Sequence, residues 1–230
     1  MTDNTNVTTT NSAAVVEQSL MAFGAGMSYQ SRSDVKSSFQ LASLVASKRY
    51  SQGDQAEQWF DEFIRTLEGS GWAKVRRTFE REDISGKSLT LGAIAFKAMK
   101  VAGQTLVGGP LGEAMISLAS QAVDGLDKVT EPQQLFSSNV KKKSSATVGL
   151  ASCMEISEGE VLMGVAAISA ATSQNDLDTL VFEWKSTSSQ NYSGMALLSF
   201  NKASYNDKLR EAIIDKLAER AFANVMDFDI

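Results

Sequence analysis

Two long runs of small and apolar residues, 145–157 and 160–172, constrain the fold of this 230-residue chain more than any other feature. The polar stretch Ser-Glu-Gly-Glu lies between them, and a two-residue turn at Glu158 and Gly159 predicts an antiparallel hairpin. Strands that are buried on both faces often read as near-continuous apolar runs. The pattern therefore predicts a hairpin buried in the core, with helices over both faces of the sheet.

The position of the turn also predicts the register of the hairpin. Counting outward from Glu158 and Gly159 sets Ile156 opposite Val161. The same register sets Met154 opposite Met163 two residues farther along the arms. Continued along both arms, it makes one side of the hairpin clearly apolar and the other side small and weakly polar.

The same segment has properties that suit contact with a lipid bilayer. A tilted membrane-spanning strand needs about 9–11 residues, and both arms are at least that long. Three consecutive lysines precede the hairpin, and each adds about 1 kcal/mol of attraction to an anionic bilayer surface. The candidate contacts with a membrane or a protein partner are Lys141, Lys142, Lys143, Val148, Leu150, Met154, Ile156, Val161, Met163 and Val165.

Two interpretations of this segment stay open at this point. In one, it is a hairpin of an ordinary core, and the lysines are solvated or protect a sheet edge from pairing. In the other, the hairpin leaves the core and enters a bilayer. Buried strands commonly have this apolar pattern, so the pattern alone favours the first interpretation.

The rest of the chain divides into helical and strand-like periods. Apolar residues at helical spacing predict helices over 33–50, 54–69, 89–107, 110–129 and 204–225. Alternating patterns predict a strand over 71–83 and two further strands, 178–186 and 192–201, which complete a four-strand meander with the hairpin. Within the second helix, Asp54 with Glu57 is typical of a capping box, and Gly69 is typical of a helix end.

Runs of helices followed by a run of strands predict an α+β fold. We expect N-terminal helices, a mostly antiparallel sheet of about four to five strands, and a C-terminal helix packed on the sheet. Residues 1–12 are polar and are expected to form a flexible tail, and residues 13–230 a single α+β domain.

Composition excludes several classes of chemistry. The chain has no histidine, which removes Ser-His and Cys-His pairs and the HExxH zinc site. Cys153 is the single cysteine, so neither an intrachain disulfide nor a thiolate metal site can form. A net charge of −5 gives no overall attraction for nucleic acid, and we expect no nucleic-acid partner.

One stretch imitates a phosphate-binding loop. Ser85-Gly-Lys-Ser88 follows a candidate strand, but the motif GxxxxGK[ST] needs glycine where Arg81 stands. Two carboxylates also lie where backbone amides must meet phosphate, so we expect no nucleotide and no other cofactor. The paired acids Asp61 and Glu62 point in different directions on a helix, which is typical of a solvated face rather than of a catalytic pair.

The N-terminal segment has no basic region before its apolar part, and Glu17 interrupts that part, which is untypical of a signal peptide. The chain has no run of about 20 apolar residues, so the sequence predicts no membrane-spanning helix. We therefore expect synthesis in the cytoplasm, with any export by a non-Sec or lytic route.

Three functions are left, in order of preference. The first is a non-enzymatic protein that acts by contact, as a soluble-to-membrane protein of the pore-forming or cytolytic kind, similar to a toxin or effector; its partner is a lipid membrane. The second is a self-associating structural or interaction protein, whose partner is another copy of the chain. The third is an enzyme whose carboxylate or serine site is not recognisable from the sequence. Lipid dependence separates the first from the second.

Overall fold

The structure is a computed structural model. It describes residues 8–51, 55–82, 88–141, 145–157, 160–171, 183–185, 191–201, 205, 207–217 and 224–230. Within these ranges a seven-stranded mixed sheet lies between two layers of helices. The α+β fold predicted from the sequence is confirmed, with more strands in the sheet than the four to five expected.

The described strands are β1 (Ser12–Val16), β2 (Ser19–Phe23), β3 (Trp72–Glu82), β4 (Ser88–Thr90), β5 (Ser145–Ser157), β6 (Glu160–Ala171), β7 (Glu183–Lys185), β8 (Asn191–Asn201) and β9 (Val225–Asp229). The described α-helices are α1 (Tyr29–Arg49), α2 (Ala56–Gly69), α3 (Leu91–Ala102), α4 (Gly109–Leu126), α5 (Thr130–Lys141) and α6 (Asp207–Leu217). A π-helical turn, Gly103–Val107, joins α3 to α4.

The large sheet has the order β3-β8-β6-β5-β2-β1-β9. Neighbouring strands run antiparallel except for β2 and β5, which are parallel. The predicted hairpin is confirmed: β5 and β6 pair antiparallel near the middle of the sheet. A strand lies on each outer side of the hairpin: β8 pairs along nearly all of β6, and β2 pairs with residues 149–153 of β5.

The predicted four-strand meander is wrong in one member. β7 pairs with β4 in a separate two-stranded sheet, so β8 lies directly beside β6. The helix predicted from residue 89 begins at Leu91, because Ser88–Thr90 form β4. The capping residue Asp54 lies outside the described residues, whereas the predicted end of α2 at Gly69 is confirmed.

The two ends of the sequence hold strands that the pattern did not reveal. β1 and β2 are five residues each, and their near-continuous apolar run around Glu17 is a signal of buried strands. At the other end, the predicted helix is observed as α6, but Val225 begins β9 and does not continue the helix. β9 pairs with β1, so both ends of the described chain meet at one edge of the sheet.

Each face of the sheet carries its own core. We call α1, α2 and α6 the aromatic layer, because its core with the sheet contains Phe23, Phe39, Trp59, Phe60, Phe63, Trp72, Phe200 and Tyr205. We call α3, the π-helical turn, α4 and α5 the small-residue layer. Its core with the sheet is built mainly from Ala, Leu, Met and Val, with Phe136 and Phe228 as the buried aromatic members.

Candidate functional site: the central hairpin

The β5–β6 hairpin lies inside the sheet, between two other strands. β5 pairs with β2 on one side, and β6 pairs with β8 on the other. Side chains of both strands belong to both cores, so helices cover both faces. This is the buried hairpin predicted from the sequence.

The predicted register of the hairpin is wrong beyond its first pair. Ser157 pairs with Glu160, as expected for a turn at 158–159, but the register then shifts and Val161 pairs with Glu155. Ile156 is the extra residue at this irregularity, and its side chain is 43% exposed. Beyond a bulge, the residues of one strand are shifted by one position against the other strand. Side chains that were predicted to share a face of the sheet then lie on opposite faces.

The consequence is that the apolar candidates lie on opposite faces. The β5 candidates Val148, Leu150 and Met154 face the small-residue layer. Leu162, Ala166 and Ile168 of β6 lie on the same face. The β6 candidates Val161, Met163 and Val165 face the aromatic layer. The predicted weakly polar side of the hairpin does not exist, since both faces are largely apolar.

Interlocked rings cover one face of the hairpin. Phe63 of α2 contacts Phe39 of α1 edge-on, with ring centroids 5.0 Å apart, and stacks on Trp59 at 5.4 Å. Such aromatic pairs contribute about 0.5–1.5 kcal/mol beyond the area they bury. Trp72 of β3 donates its indole N–H to Ser38 Oγ at 2.9 Å, which joins this layer to the sheet.

Charged groups strengthen the aromatic layer at its margins. Lys36 of α1 lies 2.7 Å from the carboxylate of Asp227 in β9. Arg210 of α6 binds Asp34 of α1 through Nε and a second nitrogen, at 2.8 and 2.9 Å. The Asp34 hydrogen bond raises the pKa of Arg210 above its usual range, so this bidentate pair stays charged.

The other face of the hairpin is covered by small residues and methionines. Gly103 and Gly112 let the π-helical turn and α4 touch: a Cβ on Gly112 would lie 2.3 Å from the Gly103 carbonyl oxygen. Met115 and Met99 lie against Gly164 of β6. Flexible thioethers fill irregular space but hold one geometry less strictly than interlocked rings.

Hydrogen bonds between this layer and the sheet are formed at separate points. Ser152 of β5 donates its hydroxyl to the Met115 carbonyl oxygen at 2.7 Å, in a buried position. Arg76 of β3 donates to the Thr105 carbonyl oxygen at 3.2 Å on the exposed rim. The hairpin is thus held by different chemistry on its two sides.

Of the three candidate lysines, the structure describes Lys141, which precedes the end of β5 that is farther from residues 158–159. Lys141 is the last residue of α5, four residues before β5 begins, and residues 142 and 143 lie outside the described part of the chain. β5 is 13 residues long, which at about 3.3 Å per residue separates the two ends by about 40 Å. In the sequence, positive charge therefore precedes β5, and the polar turn lies between β5 and β6.

The described residues hold no arrangement that we recognise as a reaction centre. Among them, no group of three or more His, Cys, Asp or Glu could hold a metal ion. Asp61 pairs with Arg77, and Glu62 pairs with Arg49 at 2.7 Å and with Arg65 at 2.9 Å, so these neighbouring acids serve as separate ion pairs. Burial raises the pKa of the Cys153 thiol above its usual range, which removes its nucleophilic form.

The sequence did not reveal a buried polar network at the β1–β2 turn. Glu17 has a positive φ of 53° and is buried, and Gln40 donates to its carboxylate at 3.0 Å. Asn139 of α5 donates to its carbonyl oxygen at 2.7 Å. The signal available in the sequence was two polar residues that stand alone between apolar runs. The side-chain amides of Gln40 and Asn139 join the turn to α1 and α5, so this network has a structural role.

The predicted loop Ser85–Ser88 lies outside the described residues except for Ser88. A small void under α2, lined by Trp59, Phe79 and Tyr192 among others, has room for about one water molecule, with a volume of about 10 Å³. None of the helices in the described ranges is both long enough and apolar enough to cross a membrane.

No family model matches the chain, and no curated protein matches it in sequence. The solved structure described as "Structure of the Evf virulence factor" is similar at a TM-score of 0.31 and 10% sequence identity, over 94% of this chain and 86% of that chain. A likeness this weak carries no argument about function.

Proposed function

We propose that the protein acts by contact rather than by catalysis, and that its β5–β6 hairpin enters a lipid bilayer after the small-residue layer separates from the sheet. The observation that carries this proposal is the unequal cover of the hairpin. Interlocked rings hold one face, whereas glycines, alanines and methionines form much of the cover on the other. Each face also has a buried hydrogen bond between its helical layer and the sheet, from Trp72 to Ser38 and from Ser152 to Met115.

The dimensions and charge of the hairpin support the same proposal. Its arms have 13 and 12 residues, which exceeds the about 9–11 that a tilted strand needs to span a bilayer. The overall charge of −5 opposes an anionic surface, but screening limits that effect to about 10 Å. Lys141–Lys143, next to the arms, therefore decide the local attraction.

The apolar character of both faces refines the kind of insertion. A strand that lines a water-filled pore alternates lipid-facing and polar residues. Here either face would present side chains such as Val165 or Leu150 to the lumen. We therefore propose insertion with both faces against lipid or protein, which disturbs the bilayer without a wide aqueous channel.

A reversible disulfide between β2 and β5 tests the proposal. Met21 and Ala151 are register partners in these strands, and both side chains point to the aromatic layer. Neighbouring strands lie about 4.8 Å apart, within the range that a disulfide bridges. Met21→Cys with Ala151→Cys, in a Cys153→Ala background, ties the hairpin to the sheet without touching the small-residue layer.

We expect the oxidised variant to release no dye from vesicles that contain anionic lipid, and the reduced variant to release it as the parent does. The Cys153→Ala protein is the matched control and should respond to neither oxidant nor reductant. Far-UV circular dichroism confirms that both forms are folded. Equal release by the oxidised and reduced forms would show that the hairpin stays in the sheet. A parent protein that neither floats with vesicles nor releases dye would refute the membrane function as a whole.

A further inference from the structure

β3 forms one edge of the seven-stranded sheet. β3 is 11 residues long and ends the sheet order, and no described strand pairs with its outer side. An irregularity between Lys74 and Arg76 interrupts its pairing with β8, and Val75 there is 53% exposed. Bulges and charges usually protect edge strands from pairing. From Arg76 to Glu82, however, the strand is regular.

The charges along this regular part are complementary to themselves. Arg76 and Glu80 are both exposed, and they lie on the same face of the strand with Thr78 midway between them. When two copies pair antiparallel about a two-fold axis at Thr78, Arg76 of each copy lies opposite Glu80 of the other. Opposite charges at directly facing positions stabilise an antiparallel pair.

The neighbouring registers are less well matched. With the axis at Phe79, Arg76 lies opposite Glu82, but Arg77 then lies opposite Arg81, which places like charges together. With the axis at Arg77, the two copies of Arg77 face each other. The other described edge of the large sheet, β9, is five residues long and carries Asp227 and Asp229, so its self-pairing sets acid against acid. The charges therefore favour the β3 edge and the register centred on Thr78.

We propose that a second copy of this chain pairs with β3 through β3, about a two-fold axis at Thr78, so that the two seven-stranded sheets become continuous. The contact is isologous, so each Arg76–Glu80 pair occurs twice. This dimer does not depend on lipid, and it does not rest on the proposed membrane function.

Charge exchange between two variants tests the register directly. Arg76→Glu sets Glu opposite Glu80, and Glu80→Arg sets Arg opposite Arg76, so each variant alone should be monomeric. Mixed together, the two variants have opposite charges at both positions and should form a mixed dimer. Each facing pair of opposite charges contributes about 0.2–1 kcal/mol. Turning both pairs into pairs of like charges should therefore raise the dissociation constant about tenfold or more.

Sedimentation velocity over a concentration series, without lipid, gives the readout. We expect the parent to dimerise, each single variant to be monomeric at the same concentration, and the mixture to dimerise again. Circular dichroism shows whether each variant is folded, and both substituted side chains are exposed. A parent that stays monomeric at every concentration overturns the proposal. A mixture of folded variants that fails to associate, or single variants that dimerise like the parent, also overturns it.

Discussion

The two helical layers cover the same hairpin with different materials. On one side, Phe39, Trp59 and Phe63 interlock at ring distances of 5.0 and 5.4 Å. On the other, α4 approaches the π-helical turn through Gly112 and Gly103 and meets the sheet through Met115. Rings that touch in fixed geometry resist separation, whereas small residues bury less area per residue and flexible thioethers hold one geometry less strictly. This difference is the basis on which we propose that the sheet opens on the side of the small-residue layer.

The largest expected effect belongs to the aromatic layer. Phe63→Ala removes a buried ring with three aromatic neighbours and should lower the free energy of unfolding by about 3–5 kcal/mol. Leu118→Ala in α4 is the matched change in the other layer. Its cost should lie near the lower end of about 2–5 kcal/mol, because a layer of small residues can collapse into the space.

Chemical denaturation of both variants measures this difference. A loss for Leu118→Ala that equals or exceeds the loss for Phe63→Ala would show that the layers are equally firm. The proposed opening side would then have no energetic basis. An unchanged denaturant slope is the internal control, since it shows that the unfolded reference state is the same in both variants.

Local periodicity was enough to predict much of this architecture. Apolar residues at helical spacing over 33–50 predicted α1, and the paired apolar runs predicted the β5–β6 hairpin, because each signal lies within one element. The extra residue Ile156 could not be predicted. A bulge leaves the apolar run of β5 unchanged, yet it decides which face each later side chain occupies.

Long-range pairings were also beyond the pattern. The parallel contact of β2 with β5 joins residues far apart in sequence, and no local signal encodes it. The three residues of β7 are too few to show with which sheet they pair. For the candidate site, the sequence located the hairpin but not its unequal cover, which depends on which helices the fold brings to each face.

An intermediate effect is expected at the closest approach in the small-residue layer. Gly112→Ala places a methyl group 2.3 Å from the Gly103 carbonyl oxygen, so α4 must move. Such overpacking costs about 1–3 kcal/mol, which outweighs the gain of about 1 kcal/mol from replacing glycine by alanine in a helix. Displacing α4 should also speed dye release from anionic vesicles.

Gly69→Ala at the end of α2 is the matched control, because a Cβ there meets no atom within 4 Å. It should leave stability unchanged or slightly raised and should not alter dye release. If Gly112→Ala were as harmless as Gly69→Ala, the close contact between α4 and the π-helical turn would not hold this layer in place.

The smallest expected effect tests the buried hydrogen bond between α4 and the hairpin. Ser152→Ala removes the donor to the Met115 carbonyl oxygen and should cost about 1 kcal/mol. Because the bond joins two elements that must part before insertion, the loss should appear mainly as faster amide exchange in α4 and faster dye release.

Ser38→Ala is the matched control, because it makes the same chemical change in the aromatic layer: it removes the acceptor of the Trp72 indole on the opposite face. It should lower the free energy of unfolding by a similar or larger amount, since it leaves the buried Trp72 N–H without Ser38, yet dye release per folded molecule should not change. Faster release from Ser38→Ala and not from Ser152→Ala would mean that the sheet opens on its aromatic side.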